Sequence, residues 1–110
     1  MIYTKYTKIA INLAYVKHTN QFDKAGVPYI FHPVHIAEQM SDEDSTIVAL
    51  LHDTLEDTNT SVEEIKVLGF PDKIINALLI LTKGKAIGYE KYIKVVAQNS
   101  LAVKVKIVDL

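Results

Sequence analysis

The sequence predicts an all-α fold, a bundle of helices built by one domain of 110 residues. Apolar residues recur three and four positions apart over most of the chain, a spacing that places them on one face of an α-helix. Short stretches rich in Gly, Pro, Asn and Asp separate these segments and are typical of turns. A chain of this length, with 49% apolar residues, can bury one hydrophobic core. We therefore expect a single domain spanning residues 1–110.

The first two helices are placed by their apolar spacing and by proline. An amphipathic helix runs from Tyr6 to Lys17, and the polar stretch after it, with Gly26 and Pro28, should be a loop. Pro33 suits the first position of a second helix, because the N–H that proline lacks has no helical partner there. The loop thus leads directly into the second helix.

Two capping signals place the middle helices. Asp42 or Asp44 caps a third helix, whose apolar run predicts that it is buried. Thr60, followed three residues later by Glu63, matches a capping box. A short fourth helix should follow it and end at Gly69.

Three more helices are predicted in the last third of the chain. One begins at Pro71 and another at Tyr89, with Gly84 and Gly88 marking the turn between them. The final stretch, 101–110, alternates apolar and polar residues, a pattern that alone favours a strand. A single strand in a helical chain would have no partner, so we expect a helix there.

Composition excludes several classes of protein. The chain has no cysteine, which excludes a disulfide scaffold and a thiolate zinc site and is compatible with a reducing cytoplasm. The N-terminus lacks the features of a signal peptide, and no apolar run is long enough to span a membrane. All the basic residues are lysines, and the absence of arginine disfavours nucleic-acid binding through bidentate contacts. We expect a soluble cytoplasmic protein.

The chemically distinctive segment follows the apolar run of the third helix. His52, Asp53, Glu56 and Asp57 lie within six positions of one another. We expect the third helix to continue through them, which would place Glu56 on one face with both His52 and Asp53. Burying such a cluster is costly unless it binds a cation or is paired, so the segment is interpreted as half of a metal site. Candidates for the other half are His18, His32, His35 and Asp109.

Five stretches of the chain carry a resemblance to a known family. They are His18-x-x-Gln21, the segment Lys24–Pro33, the segment Ala49–Thr58, Leu81-Thr82-Lys83, and the segment Val105–Leu110. In this order and spacing they resemble the HD-superfamily phosphohydrolases, specifically the hydrolase domain of the RelA/SpoT family and its small single-domain relatives. Those proteins remove the 3′-pyrophosphate from guanosine tetraphosphate (ppGpp) and pentaphosphate (pppGpp). The resemblance implies an HD-domain helical bundle.

The resemblance also implies a site. It makes His32, His52, Asp53 and Asp109 the ligands of one divalent metal, which in the family is typically Mn²⁺. Two imidazoles and two carboxylates suit that ion, and they also suit Fe²⁺ or Zn²⁺.

Further roles follow from the same resemblance. Glu56 and Asp57 correspond to the catalytic pair that handles the proton of a metal-activated water. The positions near the substrate are His18, Lys24, Thr82 and Lys83.

Two departures from the family pattern bear on function. Asp23 stands where many members have an arginine that contacts the nucleotide, so hydrolysis of a related nucleotide is included in the expectation. Members also continue beyond the Asp109 motif with further helices, whereas this sequence ends at Leu110, as a domain shortened at its C-terminus would. The favoured function is a metal-dependent hydrolase of ppGpp or pppGpp. The alternative is a catalytically weak or inactive module that binds metal and nucleotide as a sensing element. The sequence leaves the oligomeric state open.

Overall fold

The computed structural model describes residues 1–83 and 87–109, except for the side chain of Lys83. Eight α-helices make up the regular structure of these residues. In chain order they are α1 (Lys5–Lys17), α2 (Phe31–Glu38), α3 (Glu43–Leu51), α4 (Thr54–Asp57), α5 (Val62–Val67), α6 (Asp72–Lys83), α7 (Tyr89–Ala97) and α8 (Ser100–Asp109). Within these ranges the β-type pairing is an isolated antiparallel bridge between Phe22 and Pro28. The predicted all-α fold is confirmed. None of the described helices is long and apolar enough to cross a membrane.

Helix α3 forms the centre of the bundle. Every residue from Ser45 to Leu51 is buried, and α1, α2, α6 and α8 pack around the helix. Its hydroxyl groups have partners, because Thr46 donates to the carbonyl of Asp42 at 2.6 Å and Ser45 donates to the Asp42 carboxylate at 2.8 Å. Burial of these polar groups therefore costs little. Helix α3 carries the residues that follow Leu51 into the interior.

The start of α2 corrects one prediction. The helix begins at Phe31, so Pro33 occupies the third position and not the first. Two turns precede Pro33 and start the helix before it. In them the N–H of Phe31 donates to the carbonyl of Pro28 at 3.2 Å, and the N–H of His32 donates to the carbonyl of Tyr29 at 2.9 Å. Proline fits at the third position for the same reason as at the first, since the first four N–H groups of a helix lack helical partners. His32 consequently lies within the first turn.

The caps of the middle helices are resolved by the structure. Asp42 caps α3 and accepts the N–H of Ser45 at 2.8 Å. The predicted capping box at Thr60 was wrong by one residue, because α5 uses Ser61 and Glu64, whose reciprocal bonds are 3.2 and 3.1 Å long. The hydroxyl of Thr60 is instead buried and shares a hydrogen bond of 2.6 Å with Thr58. Ser61 therefore caps α5 in place of Thr60.

The three C-terminal helices form as predicted. Helix α6 begins directly after Pro71, and α7 begins directly after Gly88, whose φ of 91° is one that glycine adopts without strain. The predicted turn residue Gly84 lies outside the described residues. Helix α8 forms as expected, with Ala102 and Val105 buried, and it packs against α3, α6 and α7. Packing on three helices thus outweighs the local alternation of apolar and polar residues.

Candidate metal centre

A break between two helices places the distinctive segment. The prediction that one helix continues through it was wrong, because α3 ends at Leu51 and α4 begins at Thr54. The hydroxyl of Thr54 donates to the carbonyl of Leu51 at 2.7 Å and bridges the break. His52 and Asp53 occupy the junction, and both are about 95% buried. Glu56 lies on the exposed side of the short helix α4.

Three distant parts of the chain meet at this junction. His32 comes from the first turn of α2, His52 from the end of α3 and Asp109 from the end of α8. One ligand atom from each of these residues lies within 4.8 Å of the other two. The Nε2 atom of His32 is 3.0 Å from Oδ1 of Asp109, and the Nε2 atom of His52 is 3.7 Å from the same oxygen. This is a donor set that a single divalent cation can bridge.

Asp53 lies against both imidazoles. Its Oδ2 atom is 3.1 Å from Nε2 of His52 and 3.8 Å from Nε2 of His32. The hydroxyl of Tyr29 also donates to this oxygen at 2.5 Å. The four side chains that the resemblance assigned to one metal are therefore neighbours in space.

The orientation of His52 provides a test of whether a cation fits. Its Nδ1 atom lies 2.6 Å from the carbonyl of Ala49 and must therefore donate a proton to it. In the neutral ring this leaves a lone pair on Nε2, which is buried, has no hydrogen-bond partner and faces carboxylate oxygens of Asp53 and Asp109. A lone pair facing anions is unfavourable unless a positive charge stands between them. The arrangement fits a divalent cation.

The electrostatics point the same way. Burial lowers the pKa of an imidazole, but the carboxylates of Asp109 and Asp53 outweigh this effect and raise the pKa of His52 to about 10. Burial likewise raises the pKa of Asp109, but the interaction with His52 prevails and holds that pKa below its usual value. Positive charge at the junction is strongly favoured, and a metal ion can replace the proton there.

The predicted substrate residue His18 lies behind the junction. It is only 2% exposed, and its ring centroid is 5.0 Å from that of Tyr29. Its Nδ1 atom is 2.7 Å from the side-chain oxygen of Gln21, whose amide N–H donates to the carbonyl of Asp57 at 2.7 Å. Such burial is typical of a supporting residue more than of one that contacts a nucleotide.

The other predicted substrate residues lie in varied settings. Lys24 is exposed in the turn before α2, and the Thr82 hydroxyl donates to the carbonyl of Leu78 at 2.8 Å within α6. The side chain of Lys83 lies outside the described residues. The structure does not bring Lys24 and Thr82 into a hydrogen bond with the metal centre.

The departure at Asp23 has a structural explanation. Its Oδ1 atom accepts hydrogen bonds from the N–H groups of Ala25 at 2.8 Å and Val27 at 2.9 Å. Its own N–H donates to the carbonyl of Val27 at 2.8 Å, which closes the turn. An aspartate that binds backbone N–H groups in this way is a frequent turn residue. Asp23 builds the loop in which Lys24 stands.

Two residues of the site were not assigned a role from the sequence. Tyr29 and Gln21 both lie within the matching motifs, but their partners Asp53 and Asp57 are 24 and 36 positions away. Periodicity and capping are local signals and do not reveal pairings at that distance. The signal available was their place in the matching stretches beside His32 and His18.

The helical fold and the His-Asp junction are those of an HD-type domain with a candidate metal site. No family model matches the chain. A guanosine-3′,5′-bis(diphosphate) 3′-pyrophosphohydrolase of Aquifex aeolicus is 38% identical over 112 residues, which cover 91% of this chain and 16% of that protein. The zebrafish protein MESH1, which bears the same enzyme name, is 45% identical over 64 residues, or 51% of this chain and 36% of that protein.

A solved structure extends the similarity to the fold. It belongs to a metazoan orthologue of SpoT described as hydrolysing ppGpp, and it covers 99% of this chain with a TM-score of 0.80 and 25% identity. The chain covers 68% of that structure and about a sixth of the length of the Aquifex protein. Over nearly its whole length the chain is similar to RelA/SpoT-type HD domains, and the predicted resemblance is confirmed.

Proposed function

We propose that this chain is a metal-dependent phosphohydrolase that removes the 3′-pyrophosphate of ppGpp, pppGpp or a related nucleotide in the cytoplasm, with residues 1–110 acting as one domain. The observation that supports this most directly is the meeting of His32, His52 and Asp109 within 4.8 Å beside the buried carboxylate of Asp53. The names of the relatives support the choice of substrate. They also make a purely sensing module the less favoured reading.

The proposed metal ligands are His32, His52, Asp53 and Asp109, and the proposed ion is Mn²⁺. Imidazole and carboxylate donors without sulfur suit that ion. A divalent cation bound here supplies positive charge to a phosphate group and makes a water molecule easier to deprotonate. The hydrogen bond from His52 to Ala49 keeps the Nε2 lone pair directed at the centre.

Glu56 and Asp57 are the proposed proton carriers. Both carboxylates are exposed on α4, which directly follows the ligands His52 and Asp53. Glu56 accepts a proton as a water oxygen bonds to phosphorus, and that proton passes to the 3′-oxygen as the bond between this oxygen and phosphorus breaks. Asp57 assists the transfer. The products are pyrophosphate and the nucleotide with a free 3′-hydroxyl.

Recognition of the substrate is assigned mainly to its phosphates. Lys24 is an exposed cation held by the turn that Asp23 builds, and a lysine suits contact with a phosphate. Thr82 and Lys83 are proposed to complete the substrate side, and the buried His18 is proposed to support it through its hydrogen bond with Gln21. The chain has no arginine to offer the base, so discrimination between purine bases should be weaker than discrimination between phosphate patterns.

The proposed function is tested by following pyrophosphate released from ppGpp in the presence of Mn²⁺, together with Mn²⁺ affinity by titration calorimetry. We expect turnover by the native chain, and a loss of about 10²–10⁴-fold in kcat for Glu56→Gln with Mn²⁺ affinity retained. His52→Ala should lose both turnover and Mn²⁺ affinity.

The control for that experiment is Glu63→Gln, which alters an exposed glutamate on α5 and should keep both properties of the native chain. If the Mn²⁺-loaded native chain releases no pyrophosphate from ppGpp, pppGpp or other nucleotides that carry a 3′-pyrophosphate, the proposed function is wrong.

A further inference from the structure

Tyr29 contacts two of the proposed metal ligands with different parts of one side chain. Its hydroxyl donates to Oδ2 of Asp53 at 2.5 Å, and its ring centroid lies 5.4 Å from that of His32. The bonded oxygen is also the Asp53 atom nearest to the imidazoles, 3.1 Å from Nε2 of His52 and 3.8 Å from Nε2 of His32. The tyrosine therefore acts on the atom that faces the centre.

The ring of Tyr29 is itself restrained by its neighbours. It contacts the rings of His18 and His32, at centroid distances of 5.0 and 5.4 Å. The backbone N–H of Tyr29 donates to the carbonyl of Gln21 at 2.8 Å, and the carbonyl of Tyr29 accepts the N–H of His32 at 2.9 Å. A side chain restrained in this way can restrain its partner in turn.

The chemistry of a phenol suits this position. The carboxylates of Asp53 and Asp109 both lie within 4 Å of His52, and anions so close repel one another until a cation is bound. A hydroxyl donor stabilises Asp53 without adding a positive charge that would compete with the ion. It also leaves another lone pair of the same oxygen available to the ion.

We propose that Tyr29 is a positioning residue of the metal centre, which holds Asp53 and His32 in the arrangement that receives a divalent cation. This inference deepens the proposed function, because it concerns the same centre. Without the hydroxyl, the carboxylate of Asp53 turns more freely, and ordering it on metal binding carries a cost. Hydrogen-bond partners of metal ligands typically contribute 10–100-fold in metal affinity.

The test is Tyr29→Phe, which keeps the ring in contact with the two histidines and removes only the hydroxyl. Titration calorimetry with Mn²⁺ alone, without nucleotide, should show affinity weakened by about 10-fold or more. Circular dichroism should show unchanged helix content. Tyr15→Phe is the matched control, because it removes the hydroxyl of a tyrosine that is 65% exposed, and its Mn²⁺ affinity should equal that of the native chain.

A second measurement uses the native sequence and so does not depend on the folding of a variant. With all six tyrosines labelled with ¹³C at Cζ, addition of diamagnetic Zn²⁺ should shift one tyrosine resonance much more than the other five. The proposal is overturned if Tyr29→Phe folds and binds Mn²⁺ as tightly as the native chain, or if no tyrosine resonance shifts while Zn²⁺ binds. A native chain that binds neither ion overturns it as well.

The outcomes separate this inference from the proposed function. Weakened Mn²⁺ binding in Tyr29→Phe, together with no hydrolysis by the native chain, supports the positioning role and removes the proposed activity. Hydrolysis by the native chain, together with unchanged Mn²⁺ affinity in Tyr29→Phe, supports the activity and removes the positioning role.

Discussion

At the residue scale, the site depends on side chains that are oriented by hydrogen bonds to the backbone. His52 can present a lone pair to the centre because its other nitrogen is committed to Ala49 at 2.6 Å. Asp23 follows the same logic in the neighbouring loop, where one carboxylate oxygen serves two N–H groups. In both residues, a ligand can use only the side-chain atoms that are not already hydrogen-bonded to the backbone.

The first residue-scale prediction concerns the charge of Asp23. Asp23→Asn keeps a side-chain oxygen for Ala25 and Val27, so the free energy of unfolding should change by less than about 0.5 kcal/mol. Removing a negative charge beside Lys24 should lower KM for the polyanionic substrate several-fold, with kcat unchanged. Steady-state kinetics at low salt and denaturant unfolding measure the two effects.

The comparison for that variant is Glu38→Gln, at the opposite end of α2 from His32. If both variants lower KM equally, the effect comes from net charge and not from the loop. A KM for Asp23→Asn equal to that of the native chain contradicts the prediction.

At the element scale, the short helix α4 needs an anchor, because four residues do not make a stable helix on their own. The amide of Gln21 donates to the carbonyl of Asp57 at 2.7 Å, while its oxygen is 2.7 Å from Nδ1 of the buried His18. This connection ties the end of α4 to the end of α1. The hydrogen bond restrains the backbone at Asp57, directly after Glu56.

A prediction for α4 follows from this anchor. Gln21→Met keeps the length of the side chain and removes both hydrogen bonds, so α4 should lose its fixed orientation. We expect kcat to fall by about 10-fold or more, because small displacements of catalytic groups are costly. Mn²⁺ affinity should stay within about threefold of the native value, since the ligands themselves are untouched.

The matched variant is Gln39→Met, whose amide donates to a carbonyl one turn back within α2 and should leave kcat unchanged. A parallel loss of kcat and Mn²⁺ affinity in Gln21→Met would show that Gln21 supports the ligands and not α4.

The cap of α3 gives a second element-scale prediction. The N–H and hydroxyl of Ser45, together with Lys104 at 3.0 Å, hold the pKa of Asp42 at about 2, below its usual 3.8. A lowered pKa in the folded state means that the stabilisation is complete above pH ~4 and is lost as the pH falls toward 2. Asp42→Ala should therefore cost about 1 kcal/mol of unfolding free energy at pH 7 and much less at pH 2.

Urea unfolding at the two pH values measures this difference. Asp44→Asn is the comparison, because the Asp44 carboxylate pairs at 2.7 Å with the exposed Lys73, and such surface pairs contribute little. An Asp42→Ala cost that is the same at both pH values would contradict the role of the charged cap.

The sequence predicted those features that depend on residues close to one another in the chain. Helix α1 and the cap at Asp42 follow from local spacing and chemistry. The capping box moved from Thr60 to Ser61 because both residues can cap, and the pairing of Thr60 with Thr58 decides between them. The break after Leu51 was missed because the local pattern is that of a continuous helix, and packing around the junction overrides it.

At the scale of the whole molecule, the centre exists because α2 and α8 both pack on α3. The sequence resemblance identified His32, His52, Asp53 and Asp109 as one set, and the structure places them together. Spacing within the chain could not show this, since His32 and Asp109 are 77 positions apart and yet 3.0 Å from each other. The contacts of Tyr29 with Asp53 and of Gln21 with Asp57 also join residues far apart in the chain, and they were not predicted for that reason.

The separation of His32 and Asp109 along the chain also has a consequence for the order of events during synthesis. A growing polypeptide that has reached α7 already holds His32, His52 and Asp53, but it has no α8 to bring the last carboxylate 3.0 Å from His32. The proposed set of four ligands is complete only when α8 has been made and has docked against α3. Binding of an ion by all four proposed ligands would therefore wait until α8 has packed on α3, and a bound ion would then stabilise this arrangement over partly folded ones.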